Sequence, residues 1–572
     1  MSKVNLDSVV ARGKRMIDDP DVKVVSFDVF DTLVVRLSYR PQDVFRLALD
    51  GIAGVDQGSI LAKRLVAENE LRQNGHQYPC INDIWQHIGA ACRLTDIMVE
   101  ALMMREIHME RMLTVARIPI LELYQYAVQS GKRVIAVSDM YLPQRVLKEL
   151  LWESGYTELA EIYVSCDCRC AKSDGKLFDY VLSHEAVASP HEIVHIGDNL
   201  GSDWLRARRK GMPCLCIPSP CQRFQLSSRR ARHFLEKNMR SVSERCLFGH
   251  ILNACEEEGG LSFKRSDLDI RKFSKVVIFP LLLRIAGFIM QNESIQNDYD
   301  QIYFISRDGW VPMKAYQLMR NFFRKGKPPV YLYGSRQFYK WHEEAEKNAR
   351  ISEYYRSVIQ SSNDRAVVYD MGYSGSVSQI ARFIAPDFKI DKVYLWEHAE
   401  NQVVDKRAGS KTFLIQGLLD PSDWWFSFLE VFFSKTDEGS ATDIQRDGSR
   451  FVPVCEPAVV NEKMQHDLEE IQQTALAMVS SYLPFAKEDN LLFLSDASSF
   501  QNLMVHYLWG TGRTSRKCLK HVTADDPLKQ GFYKSRTVSA ILRSYAWNRH
   551  RVVLLAKESL YRWIHTFSRS HD

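Results

Sequence analysis

A short apolar run, Val24–Phe27, ends at a carboxylate, and this feature constrains the fold of the 572-residue chain more than any other. Asp28 follows the run, with a second carboxylate at Asp31 and a hydroxyl at Thr32. The pattern is typical of a buried parallel strand. Such a strand delivers its last side chains to the carboxyl edge of a sheet, where open α/β folds place their chemistry. The sequence therefore predicts a site that begins with Asp28.

Later stretches of the same kind are expected to reach the same edge. One strand ends at Ser138, Lys172 precedes a helix, and another strand ends at Asp198 with Asp203 beyond it. Strands that alternate with helices indicate a doubly wound parallel sheet. Carboxylates from separate strand ends form a hard oxygen site suited to Mg²⁺. A serine and a lysine can hold phosphoryl oxygens there, which leaves Asp28 free to attack phosphorus.

In order and position, these stretches resemble the four motifs of the haloacid dehalogenase (HAD) superfamily, over about the first 220 residues. The resemblance implies that Asp28 is a nucleophile which forms an aspartyl-phosphate. It also implies that Ser138 and Lys172 steady the transferred group. The Mg²⁺ ligands that it implies are Asp28, Asp198 and Asp203.

One position departs from the pattern of the superfamily's phosphatases, which place a general acid two residues after the nucleophile. This chain has Phe30 there, and Asp31 lies one residue further. Loss of general-acid help typically costs about 10²–10⁴-fold in rate. Two interpretations remain open. The chain is either a Mg²⁺-dependent hydrolase or phosphotransferase acting on a small phosphorylated metabolite such as a sugar phosphate, or a catalytically weakened binding or scaffold module.

Changes in pattern along the chain predict its domains. An HAD-like α/β domain spans 1–222, with a helical cap at about 40–118. A basic helical connector follows at 223–270. A second α/β domain at 271–420, loosely similar to phosphoribosyltransferases, precedes a mostly helical region at 421–572.

The second domain carries a further candidate phosphate site. Small residues between a strand and a helix form a backbone nest that can cradle phosphate, although a helix-capping turn has the same pattern. Phosphoribosyltransferases have two adjacent acids where this chain has Tyr369 and Asp370, which puts transfer chemistry in doubt. The candidate residues are Arg307, Asp308, Asp370, Ser374, Gly375 and Ser376.

The whole layout also resembles two-part predicted HAD hydrolases of bacteria that are associated with surface-polysaccharide biosynthesis. The shared segments are 27–33, 138–143 and 307–309. Under the binding interpretation, the protein is therefore expected to act in surface-polysaccharide assembly.

Twelve cysteines without secretory features predict a cytoplasmic protein with free thiols. A net charge of +5 does not favour nucleic acid as a partner, and no signal peptide is visible. The most apolar run, 276–283, ends at Arg284 and is shorter than the roughly 20 residues that a membrane span needs. The aromatic, basic segment 545–567 predicts a helix that either docks on the second domain or lies on a membrane surface.

Overall fold

The structure, a computed structural model, divides into two compact units, Met1–Ser262 and Phe263–Asp572. The residues it describes are 6–263, 269–339, 345–371, 377, 380–385, 387–395, 410–415, 429–458, 462–486, 503, 507, 523–524 and 536–537.

The first unit combines a parallel sheet with helices. Its strands are β1 (Val24–Phe27), β2 (Val34–Arg36), β3 (Thr114–Ala116), β4 (Arg133–Ser138), β5 (Glu161–Val164), β6 (Ile193–Gly197) and β7 (Cys214–Cys216). Its helices are α1 (Leu6–Ile17), α2 (Gln42–Leu49), α3 (Gln57–Gln73), α4 (Ile81–Cys92), α5 (Asp96–Leu113), α6 (Ile118–Gln129), α7 (Gln144–Glu153), α8 (Ser165–Cys168), α9 (Lys176–His184), α10 (Arg206–Arg209), α11 (Pro220–Ser227), α12 (Arg229–Asn238) and α13 (Val242–Ala254), with a 3₁₀ turn at Pro190–Glu192 and a π-helical turn at Leu200–Leu205.

The second unit has the same kind of composition. Its strands are β8 (Ile302–Ile305), β9 (Pro329–Leu332), β10 (Arg365–Asp370), β11 (Lys389–Tyr394), β12 (Thr412–Leu414), β13 (Ala441–Asp447), β14 (Arg450–Cys455), β15 (Thr523–Ala524) and β16 (Arg536–Thr537). Its helices are α14 (Ile270–Phe273), α15 (Phe279–Gln291), α16 (Glu293–Asp298), α17 (Trp310–Phe323), α18 (Ala345–Val358), α19 (Ala381–Ile384) and α20 (Glu462–Tyr482), with a π-helical segment at Ser274–Ile278 and 3₁₀ turns at Arg336–Tyr339 and Leu483–Phe485.

The sheet of the first unit runs in the order β5-β4-β1-β6-β7, and every neighbouring pair is parallel. The strand order reverses direction beside β1, so β1 and β6 flank the crevice where such sheets bind ligands. Alternate residues of β4 enter different cores, Val134 and Ala136 on one face and Ile135 and Val137 on the other. Because both faces are covered, the strands are mostly apolar, as their sequences predicted.

A helical insertion separates β1 from β4, as the sequence predicted. Helices α2 to α5 lie between the short antiparallel strands β2 and β3. The prediction of an α/β fold with a helical cap is therefore confirmed.

Helices α11 to α13 belong to the first unit and are tied to it by buried ion pairs. Arg117 binds Glu256 with 2.7 Å between Nε and Oε2, and both side chains are fully buried. Arg245 on α13 binds both carboxylate oxygens of Asp43 on α2, each at 2.6 Å. That the segment 223–270 serves as a connector between domains stays a prediction.

The second parallel sheet runs in the order β12-β11-β10-β8-β9. Counted along the chain from β8, this is the 2-1-3-4-5 order of a doubly wound sheet, whose ligand crevice lies between its first and third strands. The second α/β fold that the sequence predicted is confirmed.

One helical stretch, Ile270–Gln291, is long and apolar enough to cross a membrane by length and composition. In this structure 89% of its most apolar 18-residue window is buried inside the protein. It packs against α17 and α20 of the same unit.

The C-terminal region, expected to be mostly helical, contains α20 but also the antiparallel hairpin of β13 and β14. Gly448 at its turn has a φ of +58°, a left-handed conformation that glycine adopts at little cost. The segment 545–567 lies outside the described residues.

Candidate active site

The residues predicted from the strand ends meet at the carboxyl edge of the first sheet. Asp28 follows β1, Ser138 ends β4 on one side, and Asp198 follows β6 on the other. One carboxylate oxygen from each of Asp28, Asp198 and Asp203 lies within 4.8 Å of the others. Asp28, Ser138, Lys172 and Asp203 are buried, whereas Asp198 is half-buried.

Lys172 is the cation of this site. Its Nζ lies 2.5 Å from Oδ1 of Asp28 and 2.7 Å from Oδ1 of Asp203. Lys176 is the other lysine that the sequence offers for this role. Its side chain is 67% exposed, and its Nζ lies 3.8 Å from Oδ2 of Asp174. Lys172 alone of these two lysines reaches the carboxylates.

Asp139, which the sequence analysis did not assign, anchors the loop that carries Lys172. Its Oδ1 accepts a hydrogen bond from the backbone N–H of Lys172 at 2.7 Å, and its Oδ2 accepts one from Ser173 at 3.1 Å. Asp139 follows Ser138 at the end of β4, and this adjacency is the signal by which sequence reasoning could have found it.

Asp203 is held by its own turn. The backbone N–H of Asn199 donates to Oδ2 of Asp203 at 3.0 Å, while the Asn199 side chain accepts from the N–H groups of Gly201 and Ser202. Gly197 lets Asp203 approach this closely, because an added Cβ at Gly197 would lie 2.5 Å from Cβ of Asp203. Asp203 is therefore fixed in position from within the turn.

His195 supports Asp203 from inside the sheet. Its Nε2 lies 3.5 Å from Oδ1 of Asp203, and its Nδ1 lies 2.8 Å from Oγ of Ser26 on β1. Burial lowers the pKa of His195, although Asp203 opposes this shift. In the sequence His195 reads as one residue of an apolar strand, so no pattern indicated its pairing with Ser26.

Gln222 on α11 supports Asp198 by donating from Nε2 to Oδ2 at 2.6 Å. This contact joins the end of β6 to a helix that begins beyond β7. The sequence analysis could not identify it, because it depends on how α11 folds back over the site.

The site has more negative charge than its lysine can compensate. Burial raises the pKa of Asp28 to about 7 against the opposing effect of Lys172. Burial and the charge of Asp28 raise the pKa of Asp198 to about 8. The pKa of Asp203 is lowered, because Lys172 and His195 outweigh its burial. The pKa of Lys172 is raised because the carboxylates of Asp203 and Asp28 outweigh its burial.

The residues fit a hard divalent cation. Three carboxylate oxygens converge at the rim of a buried site, and two of the three carboxyls carry raised pKa values because burial and the neighbouring carboxylates disfavour their ionisation. Mg²⁺ prefers a small number of carboxylate ligands of this kind, completed by water and substrate oxygens. A bound cation would supply the missing charge.

Phe30 occupies the position two residues after Asp28. The guanidinium carbon of Arg36 lies 3.9 Å from the centre of its ring. The next residue, Asp31, has a left-handed backbone with φ of +64°, and its carbonyl accepts a hydrogen bond from Nη1 of Arg117 at 3.0 Å. Burial raises the pKa of Asp31, with Arg36 opposing the shift.

The candidate phosphate residues of the second unit lie at the ends of β8 and β10. Arg307 forms an ion pair with Glu430, with 2.6 Å between Nη2 and Oε1, and donates to Oγ of Ser440. Burial raises the pKa of Asp308 well above its usual range, and the charge of Asp370 adds to the effect. Ser374, Gly375 and Ser376 lie outside the described residues. A phosphate site here stays a prediction.

Cys166 and Cys168 lie in the short helix α8, and Cys170 follows it. None of the three lies on a strand, where alternate side chains would share one face. All three are free thiols. Among the residues that the structure describes, the carboxylates of Asp28, Asp198 and Asp203 form the one group with metal-ligand spacing.

Comparisons with known proteins leave the family open. No family model matches the chain, and no curated protein matches it. Similar solved structures include an HAD phosphatase from Thermococcus onnurineus (20% identity, 34% of this chain and 86% of that chain, TM-score 0.26) and L-2-haloacid dehalogenase from Xanthobacter autotrophicus (16% identity, 34% and 76%, TM-score 0.25). Another is the HAD-hydrolase YfnB from Bacillus subtilis bound to magnesium (17% identity, 34% and 87%, TM-score 0.26). Because these identities and TM-scores are low, we base functional inference on the geometry of the site.

Proposed function

We propose that the first unit is a Mg²⁺-dependent hydrolase or phosphotransferase of the HAD type, which acts on a small phosphorylated metabolite through an aspartyl-phosphate on Asp28. One observation carries the proposal. A buried carboxylate at the central strand end contacts a buried lysine, and that lysine contacts a second carboxylate, at the crevice of a doubly wound sheet.

In the proposed reaction, a carboxylate oxygen of Asp28 attacks phosphorus and the bond to the leaving oxygen breaks. Lys172 neutralises charge on the phosphoryl oxygens, and Ser138 lies at the neighbouring strand end to donate a hydrogen bond to one of them. Water then hydrolyses the aspartyl-phosphate and restores Asp28, or a second acceptor takes the phosphoryl group.

Asp28, Asp198 and Asp203 would hold the cation, whose charge would neutralise the phosphate as substrate enters. The hydrogen bonds from Asn199 and Gln222 keep two of these carboxylates oriented. Asn199 and Gln222 would therefore support substrate binding by orienting the carboxylates, without contacting phosphate themselves.

The second candidate function is a non-enzymatic binding or scaffold module in bacterial surface-polysaccharide assembly, and Phe30 is the observation that favours it. A phenyl ring cannot protonate a leaving group, so the site would bind phosphate without turnover. Under this alternative, Mg²⁺ and phosphorylated ligands bind while no product forms.

Phosphate release from a panel of sugar phosphates, nucleotides and acyl phosphates tests the proposal. The assay compares the wild-type protein, Asp28→Asn and Asp21→Asn with and without Mg²⁺. Asp21 is an exposed aspartate just before β1, so Asp21→Asn is a matched control for the chemical change. We expect turnover that requires Mg²⁺, is lost in Asp28→Asn and is retained in Asp21→Asn.

Two results would contradict the proposal. Turnover that survives in Asp28→Asn would exclude this residue as the nucleophile. Absence of turnover on every substrate, in protein whose Mg²⁺ binding is measured by calorimetry, would support the binding module instead.

A further inference from the structure

Arg36 is placed beside the candidate nucleophile loop in a way that the proposed phosphoryl transfer does not explain. Its side chain is only 11% exposed, and its guanidinium is stacked on the ring of Phe30. Nε donates to Oε1 of Glu110 on the cap helix α5 at 2.5 Å. Within the described part of the chain, neither Nη nitrogen of Arg36 has a hydrogen-bond partner. A partly buried guanidinium therefore keeps two donor groups available at this site.

The two buried acids of α5 are both paired with arginines. Glu110 is bound by Arg36. Glu106 accepts from Nε and Nη2 of Arg64 at 2.8 and 2.7 Å and from the indole of Trp85 at 3.0 Å. Both carboxylates are therefore occupied by charge-assisted hydrogen bonds within the protein. Burial raises the pKa of Glu110, with Arg36 opposing the shift.

Arg36 itself cannot act as an acid. Burial would lower its pKa, but the charge of Glu110 outweighs burial and raises it. A guanidinium thus offers fixed positive charge and hydrogen-bond donors, not a transferable proton. Phe30 has no acidic proton, and Arg36, which stacks on its ring, does not release one.

An in-line displacement sends the leaving oxygen away from Asp28. The inserted helices approach this edge of the sheet, since Tyr78 before α4 donates to Asp174, two residues after Lys172, at 3.0 Å, and Glu110 of α5 binds Arg36. An alkoxide leaving group would need a proton there. A leaving group that is already stable as an anion would need only a cation and hydrogen-bond donors. Phe30 and Arg36 together supply the second requirement and not the first.

We propose, resting on the function proposed above, that the substrate is an acyl phosphate or a phosphoanhydride, whose leaving group departs as an anion facing Arg36. Asp28 forms the new bond to phosphorus as the bond to the leaving oxygen breaks. The leaving oxygen keeps the electron pair and departs as a carboxylate or phosphate without a proton. Water then cleaves the aspartyl-phosphate to give inorganic phosphate, restores Asp28 and releases a proton to solvent.

The dependence of kcat/KM on the acidity of the leaving group tests the inference with the unmodified protein. The substrates are acetyl phosphate, pyrophosphate, p-nitrophenyl phosphate and glucose 6-phosphate, all with Mg²⁺. We expect the acidic leaving groups to react about 10²–10⁴-fold faster than the sugar alcohol beyond their difference in uncatalysed reactivity. Equal catalytic acceleration of acetyl phosphate and glucose 6-phosphate would overturn the inference while leaving the proposed function intact.

Three variants locate the effect. Arg36→Met is expected to lose most of the advantage of acetyl phosphate, whereas Arg72→Met, at an exposed arginine of α3, keeps it. Phe30→Asp introduces an acid and is expected to raise activity on glucose 6-phosphate relative to acetyl phosphate. Should Arg36→Met fail to fold, Phe30→Asp and the wild-type series still decide the question.

Asp31→Asn separates this inference from its rival, in which Asp31 donates the proton. Asparagine tolerates the left-handed backbone of this position, so the fold should be retained. We expect the substrate preference to be unchanged. Selective loss of glucose 6-phosphate hydrolysis in Asp31→Asn would identify Asp31 as the acid and overturn the inference. Absence of turnover on acetyl phosphate and pyrophosphate while glucose 6-phosphate is hydrolysed would also overturn the inference, whereas absence of turnover on all four substrates would defeat the proposed function.

Discussion

At the scale of single residues, the first unit depends on Lys172. The ammonium of Lys172 contacts both Asp28 and Asp203, and all three residues are buried. Removal of one partner from such a group leaves a buried charge without compensation, which costs more than the intact pair contributes.

Lys172→Met is therefore expected to lower the free energy of unfolding by about 3–5 kcal/mol in metal-free protein. Mg²⁺ should raise the Tm of Lys172→Met more than that of the wild type, because the cation replaces lost positive charge. Urea denaturation and thermal melts measure both effects.

Lys176→Met is the matched control for this change, since its side chain is exposed, and its stability should equal that of the wild type. If Lys172→Met were as stable as Lys176→Met, the two carboxylates would not depend on the lysine.

The residues that end apolar strands could be predicted from sequence, whereas their supports could not. Asp28, Ser138 and Asp198 each close a continuous apolar run, so their arrival at one sheet edge follows from parallel pairing alone. His195 and Gln222 act on the same carboxylates, but their partners come from other strands or from a helix far along the chain. Sequence spacing carries no record of such contacts.

At the scale of elements, the sequence contained one unused signal. Asp447 and Gly448 stand between residues of alternating character, a combination that favours a tight hairpin turn, and β13 and β14 pair around them.

Close packing of α13 gives a prediction about an element. A Cβ added at Gly249 would lie 1.6 Å from the carbonyl oxygen of Leu37, so the helix backbone must move to accept alanine. We expect Gly249→Ala to lower the free energy of unfolding by about 1–3 kcal/mol, as overpacking does. Chemical denaturation of the whole protein measures this loss.

Gly58→Ala provides the comparison within another helix, α3. Its new Cβ would meet Oδ1 of Asp56 at 3.4 Å, an ordinary contact, and the site is exposed. This variant should be as stable as the wild type or slightly more so. If Gly249→Ala and Gly58→Ala had equal free energies of unfolding, α13 would be able to shift without loss of stability.

At the scale of the whole molecule, the charge of the site links stability to pH. Asp28 and Asp198 titrate in the folded protein near pH 7 and 8, far above their ordinary value of 3.8. At pH values between the ordinary and the raised pKa, these two carboxyls bind more protons in the folded state than in the unfolded chain, so stability falls as pH rises. Asp203, with a lowered pKa, loses stability only in acid. The lowered pKa of His195 opposes the two carboxyls below about pH 6.5, because there the unfolded chain binds more protons on this histidine than the folded protein does.

The Tm of metal-free protein is therefore expected to fall between about pH 6.5 and about pH 8.5, where the two carboxyls act without opposition from His195. Saturating Mg²⁺ should flatten this dependence, because it favours the ionised carboxylates. Melts across the pH range, with chelator or with Mg²⁺, measure it. A metal-free Tm that rises over this range would contradict the assigned directions.

The extent of the first unit gives a second prediction at this scale. A fragment that ends at residue 222 leaves Arg117 buried without Glu256. Loss of one partner costs about 3–5 kcal/mol, a large part of a typical domain's stability, so this fragment should be largely unfolded.

A fragment that ends at residue 262 retains the ion pair and should unfold cooperatively, as judged by circular dichroism. Equal cooperativity of the two fragments would show that α12 and α13 are dispensable.

The contacts of Arg117 also set an order of events during synthesis. Its guanidinium binds the carbonyl of Asp31 in the loop after β1 and is neutralised by Glu256, which lies 139 residues further along the chain. At translation rates of about 5–20 residues per second, roughly 7–28 s separate the two residues. The strands that pair with β1, β4 and β6, are made within that interval, before Glu256 is available to Arg117. A ribosome that stalls after β6 would present the cell with a folding intermediate in which the loop after β1 is made but not yet held.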